Sequence, residues 1–168
     1  MVKDAPISID FDQHNHMAQS SAVENLMQSW RARLGRVQHV GLGIDRCDYT
    51  KGIPERLAAI GRLLEQNPAL REQLTFIQIA VPSRSTIPGY AELDQTVEAQ
   101  AAAINERFKT AEWQPILLER RSLPPVEMMA LHRLAAFCMV TPLHDGMNLV
   151  AKEFVASRFD GDGVLILS

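Results

Sequence analysis

Short, nearly unbroken apolar runs alternate along this chain with longer segments whose apolar positions recur every three or four residues. The runs at 37–44, 74–81, 116–118, 137–141 and 164–167 read as strands, because continuous apolar stretches bounded by turn residues suit strands buried on both faces. The segments between them read as helices. Over 54–65, Leu57, Ile60, Leu63 and Leu64 share one face behind a proline in the first turn. Over 93–108, Leu93, Val97, Gln100, Ile104 and Phe108 do the same, while Pro124-Pro125 opens a third helix and Asn148 caps a fourth running to about Ser157. Ahead of the alternation, Val23, Leu26, Met27, Trp30 and Leu34 mark a helix that stops at Gly35, and residues 1–19 read as irregular and polar. Strand and helix in turn predict an α/β fold, a parallel sheet with helices on both faces, over residues 20–168. The last strand has nothing after it to supply a covering helix, so the domain is expected to be incomplete.

Composition narrows the function classes. With 168 residues, 46% hydrophobic and 22% charged, the chain is of ordinary globular make-up and one domain is the natural count. A net charge of −3 without a Lys/Arg run offers no footprint for nucleic acid or an anionic membrane. No apolar stretch approaches a membrane span and the N-terminus has no apolar signal core, which points to the cytoplasm. Cys47 and Cys138, the only cysteines, lie in no paired spacing that would suggest a disulfide framework or a zinc site.

Two polar clusters stand where a strand hands over to a helix: Arg46-Cys47-Asp48-Tyr49-Thr50-Lys51-Gly52 and Asp145-Gly146-Met147-Asn148-Leu149-Val150-Ala151-Lys152-Glu153. Open α/β sheets bind ligands at such junctions, where helix N-termini aim free N–H groups at anions. Arg46 and Lys51 place a guanidinium fork and an ammonium in one loop, a pair suited to a diphosphate. An equally weighted alternative has Arg46 paired with Asp45 or Asp48 and Lys51 merely solvated. In the second cluster, Asp145-Gly146 forms a turn and Asn148 a cap, so the N–H groups of Met147 to Val150 become a nest for the same anion. Glu153, one turn into the helix, suits the two hydroxyls of a ribose, or else simply complements the helix dipole.

Other candidates carry less. Asp12, His14 and His16 could touch a metal, but lack a third well-spaced ligand and read as a solvated loop. His132 reads as an ordinary surface or satisfied histidine, and Met128, Met129 and Met139 as core filler. Asp48 and Asp145 as paired carboxylates for hydrolysis would need a separation that spacing alone does not supply. No Walker loop, nucleophile elbow or G-x-G-x-x-G occurs.

Three longer motifs carry a resemblance. Residues 140–156 (VTPLHDGMNLVAKEFVA), residues 45–56 (DRCDYTKGIPER) and residues 77–84 (IQIAVPSR) are similar, in order, to glycosyltransferase family 20, the family of the trehalose-6-phosphate synthases. The likeness runs from about Pro6 to Ser168. It implies a Rossmann-like, nucleotide-sugar-binding half of a two-domain GT-B enzyme, here without the N-terminal domain and the last segments. It implies retaining transfer of glucose from UDP-glucose to glucose 6-phosphate, giving α,α-trehalose 6-phosphate and UDP, with no metal, no cofactor and no protein nucleophile. Arg46 and Lys51 would bind the UDP phosphates and share the catalytic work with Asp145. Asp145, Gly146, Met147 and Asn148 would hold glucose hydroxyls, backbone at Leu149 and Val150 the diphosphate, Glu153 the ribose, and Arg84 the phosphate of the acceptor.

Departures from the family's pattern bear on the acceptor. His144 stands where arginine is frequent and Cys47 where leucine is, both compatible with donor contacts. Leu123-Pro124-Pro125 occupies a stretch that in other members carries a second acceptor-phosphate arginine, so a related acceptor such as glycerol 3-phosphate stays open. A noncatalytic nucleotide-sugar-binding relative is the third reading, ranked last because no donor residue is eroded. The resemblance further implies that this segment alone does not turn over, since the acceptor site needs the missing domain. Oligomeric state follows from none of these patterns.

Overall fold

A computed structural model describes residues 7–83 and 86–168. Five parallel strands, β1 (His39–Arg46), β2 (Leu74–Val81), β3 (Ile116–Glu119), β4 (Phe137–Val140) and β5 (Val164–Leu167), form one sheet in the order β3-β2-β1-β4-β5. With them stand the helices α1 (Phe11–Ala18), α2 (Ser21–Leu34), α3 (Ile53–Gln66), α4 (Pro88–Phe108), α5 (Pro125–Leu134) and α6 (Leu149–Ser157), and single 3-10 turns at Tyr49–Lys51 and Pro68–Leu70. The strand–helix alternation expected from the apolar pattern is therefore present, with helices on both faces of the sheet, while Val164, Ile166 and Leu167 of the edge strand β5 stay exposed.

Side-chain parity along the strands divides the core. On β1, Val40, Leu42 and Ile44 point with Ile77 and Ile79 of β2 into a cluster closed by Trp30 and Leu34 of α2, Leu131 of α5 and Phe154 of α6. On the opposite face, Leu74, Phe76 and Ala80 meet Leu57, Ile60 and Leu64 of α3 and Val97, Ala101 and Phe108 of α4. The β1 positions on this second face are Gly41, Gly43 and Asp45, which contribute no apolar side chain. A Cβ at Gly41 would lie 2.4 Å from the Phe137 ring and 2.6 Å from that of Phe76, so only glycine lets those two rings pack over the strand.

Strand order locates the site. The chain runs outward from β1 to β2 to β3 and then returns to place β4 on the other side of β1. The sequence of connections reverses between β1 and β4, the position at which open α/β sheets leave a crevice beyond their carboxyl ends. Pairing between β1 and β4 extends only over Gly41–Leu42 with Phe137–Cys138, whereas β1 pairs with β2 along its whole length. The β1–α3 and β4–α6 loops, which hold the two polar clusters, flank that crevice.

The amino-terminal expectation needs correction. Residues 1–19 read as irregular, yet Phe11–Ala18 is a helix. Asp10 caps it by accepting from the Gln13 N–H, and tertiary bonds hold it: His14 Nε2 lies 3.0 Å from Ser157 Oγ and Asn15 Nδ2 donates to the Ala156 carbonyl at 2.9 Å. A helix whose polar side chains bond to a neighbouring helix shows little apolar periodicity, so its sequence resembles a loop.

Candidate functional site

The two polar loops are joined through backbone and side chain. Thr50 accepts at its carbonyl from the N–H of Leu143 at 2.8 Å and of His144 at 3.2 Å. Lys51 Nζ donates to Asp145 Oδ2 at 2.6 Å, with only 16% and 17% of the two side chains exposed. The hydrogen bond from Lys51 holds the Asp145 carboxyl below its ordinary pKa. Asp48 shapes the first loop: its Oδ1 accepts from the N–H and hydroxyl of Thr50 at 3.0 and 2.9 Å, and the backbone bond leads in lowering its pKa. Gly52 follows at φ 63°, where an added Cβ would sit 2.7 Å from the Thr141 carbonyl oxygen. The glycine thus supplies both the left-handed turn and the close approach of the loops.

Arg46 ends β1 exposed, at an even-numbered position like Val40, Leu42 and Ile44, which puts it on the face of the sheet where α6 lies. The sequence alternative that paired it with Asp45 does not occur, because Asp45 is bound to Arg56. Its charge instead acts on Asp48, among the causes that lower that carboxyl. Lys51, the other half of that alternative, is ion-paired rather than merely solvated.

On the second loop, Asn148 caps α6 by accepting from the Ala151 N–H at 3.3 Å, and its Nδ2 lies 3.4 Å from Asp145 Oδ2. The expected nest is narrower than Met147 to Val150: the Met147 N–H is engaged by the Asp145 carboxylate, and the Ala151 N–H by the cap. Leu149 and Val150 open the helix with N–H groups that have no acceptor among the described residues. Gly146 and Met147 are exposed, and Glu153 stands one turn along α6, half-buried. Arg84 lies outside the described residues. A groove of about 640 Å³ between the far ends of α3 and α4, lined by Arg62, Gln100, Arg107 and Phe108, shares no residue with this edge.

Beneath the crevice is a buried polar network that the sequence reading missed. Arg56, on α3, has a fully buried side chain whose Nη1 donates to Asp45 Oδ2 at 2.6 Å and to Gln78 Oε1 at 3.1 Å. Its Nε donates to Thr141 Oγ1 at 3.1 Å and its Nη2 to the Lys51 carbonyl at 3.2 Å. Burial pushes the Asp45 carboxyl upward and Arg56 opposes it. The guanidinium does not deprotonate, so the ionised pair is the state that leaves no buried charge unmatched. A signal was present in the sequence: an aspartate inside an apolar strand requires a buried donor.

Of the candidate metal residues, His14 is engaged with Ser157, and no group of three or more His, Cys, Asp or Glu capable of holding a metal occurs among the described residues. His132 is fully buried rather than on the surface, with Ser157 Oγ 3.5 Å from Nδ1, and burial, helped by His14, pushes its pKa down to about 3. Cys47 and Cys138 are free and buried. Among the described residues no helix is long and apolar enough to cross a membrane.

An edge that offers two cations, free helix N–H groups and acidic hydroxyl acceptors can bind an anionic, hydroxyl-rich ligand. The family model of glycosyltransferase family 20 matches residues 1–168. A bifunctional trehalose-6-phosphate synthase/phosphatase from Thermoproteus tenax is 44% identical over 97% of this chain and 22% of its own length. A trehalose-6-phosphate synthase from Mycolicibacterium smegmatis is 39% identical over 97% of this chain and 32% of its own. Among solved structures, a UDP-forming α,α-trehalose-phosphate synthase from Burkholderia xenovorans, in complex with glucose-6-phosphate, superposes with a TM-score of 0.91 at 36% identity, covering 96% of this chain and 36% of that one. An E. coli protein bound with UDP-2-fluoro glucose gives a TM-score of 0.89 at 34% identity over 96% of this chain and 36% of its own. The chain spans about a third or less of the length of these relatives.

Proposed function

Because the chain belongs to glycosyltransferase family 20, we propose that it forms the donor-binding part of a retaining glucosyltransferase that converts UDP-glucose and glucose 6-phosphate to α,α-trehalose 6-phosphate and UDP. One observation carries this: Lys51 and the loop leading into the open N-terminus of α6 meet at the β1/β4 reversal, joined by the Lys51–Asp145 contact of 2.6 Å. Arg46, Lys51 and the N–H groups of Leu149 and Val150 take the diphosphate, and Glu153 takes the ribose hydroxyls. Asp145, Gly146, Met147 and Asn148 line the glucose, and Arg84 reaches the acceptor phosphate. The work is done in the cytoplasm, without a metal and together with a further domain that supplies the rest of the acceptor site.

The chemistry asked of these residues is electrostatic. The bond from the glucosyl carbon to the β-phosphate oxygen breaks, the acceptor oxygen bonds to that carbon on the same face, and the acceptor's proton passes to the departing diphosphate. Charge grows on the diphosphate as the bond breaks, so cations and N–H dipoles fixed around it bind the transition state more tightly than the substrate. Losing one such contact costs on the order of 2–4 kcal/mol in the barrier.

A chimera tests the function. Residues 7–168 replace the matching segment of the M. smegmatis relative, and UDP release from UDP-glucose is followed with glucose 6-phosphate or glycerol 3-phosphate as acceptor. Turnover that requires glucose 6-phosphate and falls at least tenfold in Lys51→Ala supports the proposal. Preference for glycerol 3-phosphate would assign the acceptor differently, in keeping with Pro125. A folded chimera inactive with both acceptors would contradict the proposed activity.

A further inference from the structure

The buried guanidinium under the crevice ties together β1, β2, the exit of β4 and the loop of Lys51. Arg56 has acceptors on β1 (Asp45), on β2 (Gln78), at the exit of β4 (Thr141) and on the carbonyl of Lys51 itself. Four acceptors on four segments over-determine where the guanidinium sits, and the rigid fork transmits that position in both directions. Room for it has been left in the strand: a Cβ at Gly43 would lie 2.8 Å from Arg56 Nη1 and 2.5 Å from Gln78 Oε1. Gln78 is itself fixed, since its Nε2 donates to the Ile79 carbonyl at 3.0 Å. Thr141 begins the loop that carries Asp145 and the N-terminus of α6, so one planar group links the cation of one loop to the N–H donors of the other.

We propose that Arg56 is a positioning residue for diphosphate recognition, holding the Lys51 backbone and the β4–α6 loop at the separation the phosphates require. It touches no ligand. The inference rests on the donor-site reading above. Lysine at this position can keep an ion pair with Asp45, but a single ammonium lacks the planar fork that reaches Thr141 Oγ1 and the Lys51 carbonyl at once. Arg56→Lys therefore separates support of the core from setting of the loops, and Thr141→Val removes one acceptor with little change of shape.

Both variants are titrated with UDP by calorimetry and with uridine by NMR, after circular dichroism and urea unfolding have checked that they are folded. Arg56→Lys is expected to bind UDP at least tenfold more weakly and Thr141→Val about threefold more weakly, with uridine affinity unchanged in both and with amide shifts at Lys51, Leu149 and Val150. A purely structural role would lower the urea midpoint and leave UDP affinity of the folded protein as in wild type. Should Arg56→Lys fail to fold, Thr141→Val decides the matter alone. Wild-type UDP affinity in the folded variants overturns the positioning role. An unsubstituted protein that binds no UDP removes instead the donor-site reading on which it rests.

Discussion

Gly52→Ala isolates the close approach of the two loops. Gly52 adopts φ 63° and ψ 31°, a left-handed conformation that costs an L-residue about 1–2 kcal/mol. Alanine would recover about 0.4–1 kcal/mol by restricting the unfolded chain. The new methyl, however, would stand 2.7 Å from the backbone oxygen of Thr141, and no flexible side chain can give way there. Relief requires the β1–α3 and β4–α6 loops to separate, which strains the bonds from the Leu143 and His144 N–H groups to the Thr50 carbonyl. Each such bond is worth about 0.5–1.5 kcal/mol, so the net loss should be about 2–3 kcal/mol. Urea denaturation followed by circular dichroism reads this as a midpoint lowered by about 1 M or more at unchanged m. Gly61→Ala is the contrast. Gly61 lies inside α3, and its added Cβ would meet only the flexible end of Ile104 at 3.3 and 3.4 Å. Helix propensity then favours alanine by up to about 1 kcal/mol, so that variant should be neutral or more stable. A loss below about 0.5 kcal/mol for Gly52→Ala, or equal effects at both positions, would refute the reasoning.

Two further outcomes follow from charge. His132 ionises near pH 6.5 when unfolded and near 3 when buried, so the unfolded chain binds the extra proton between those values and stability falls as pH drops through that window. The loss is on the order of 5 kcal/mol, and His132→Leu should flatten the pH dependence of the urea midpoint between 6.5 and 3; an unchanged slope would contradict it. Asp145 has a lowered pKa in the fold, so its contribution is present above the ordinary carboxylate range and is lost as pH falls through the folded value. Asp145→Asn should therefore cost about 0.5–1 kcal/mol of stability at pH 7 but nothing at strongly acidic pH, while freeing Lys51 and tightening UDP binding by roughly threefold or more. Weaker UDP binding by this variant in a calorimetric titration would show that Asp145 does not compete for Lys51.

Residues that stand in periodic or continuous apolar patterns were legible in the chain before any coordinates. Ile77 and Ile79 of β2 and Leu57, Ile60 and Leu64 of α3 announce their elements because burial on two faces, or on one, forces those spacings. The polar loops were legible as positions, since Lys51 and Asn148 stand at strand-to-helix junctions. Their mutual arrangement was not: Lys51 and Asp145 are 94 residues apart, and their contact depends on β4 returning beside β1. Arg56 was illegible for a related reason. On α3 it looks like a solvent-facing charge, and only Asp45, buried on the same side of β1 as Gly43, reveals where its head goes. Helix α1 was hidden because Asp10, His14 and Asn15 hold it by hydrogen bonds rather than by an apolar stripe. His132 sits beside Arg133 in sequence but turns inward to Phe154, whose ring lies 6.1 Å away edge-on.

Calorimetric titration of UDP into the folded chain tests the central claim, that the loops on either side of the β1/β4 reversal form one diphosphate site. Unsubstituted protein should bind UDP. Arg46→Ala and Lys51→Ala should each weaken binding by about 1–3 kcal/mol, roughly 5- to 150-fold, through loss of a charge-assisted contact. Arg62→Ala, in the groove between α3 and α4, should leave the affinity unchanged. Failure of the folded chain to bind UDP, or one affinity shared by unsubstituted protein and both loop variants, would contradict the account.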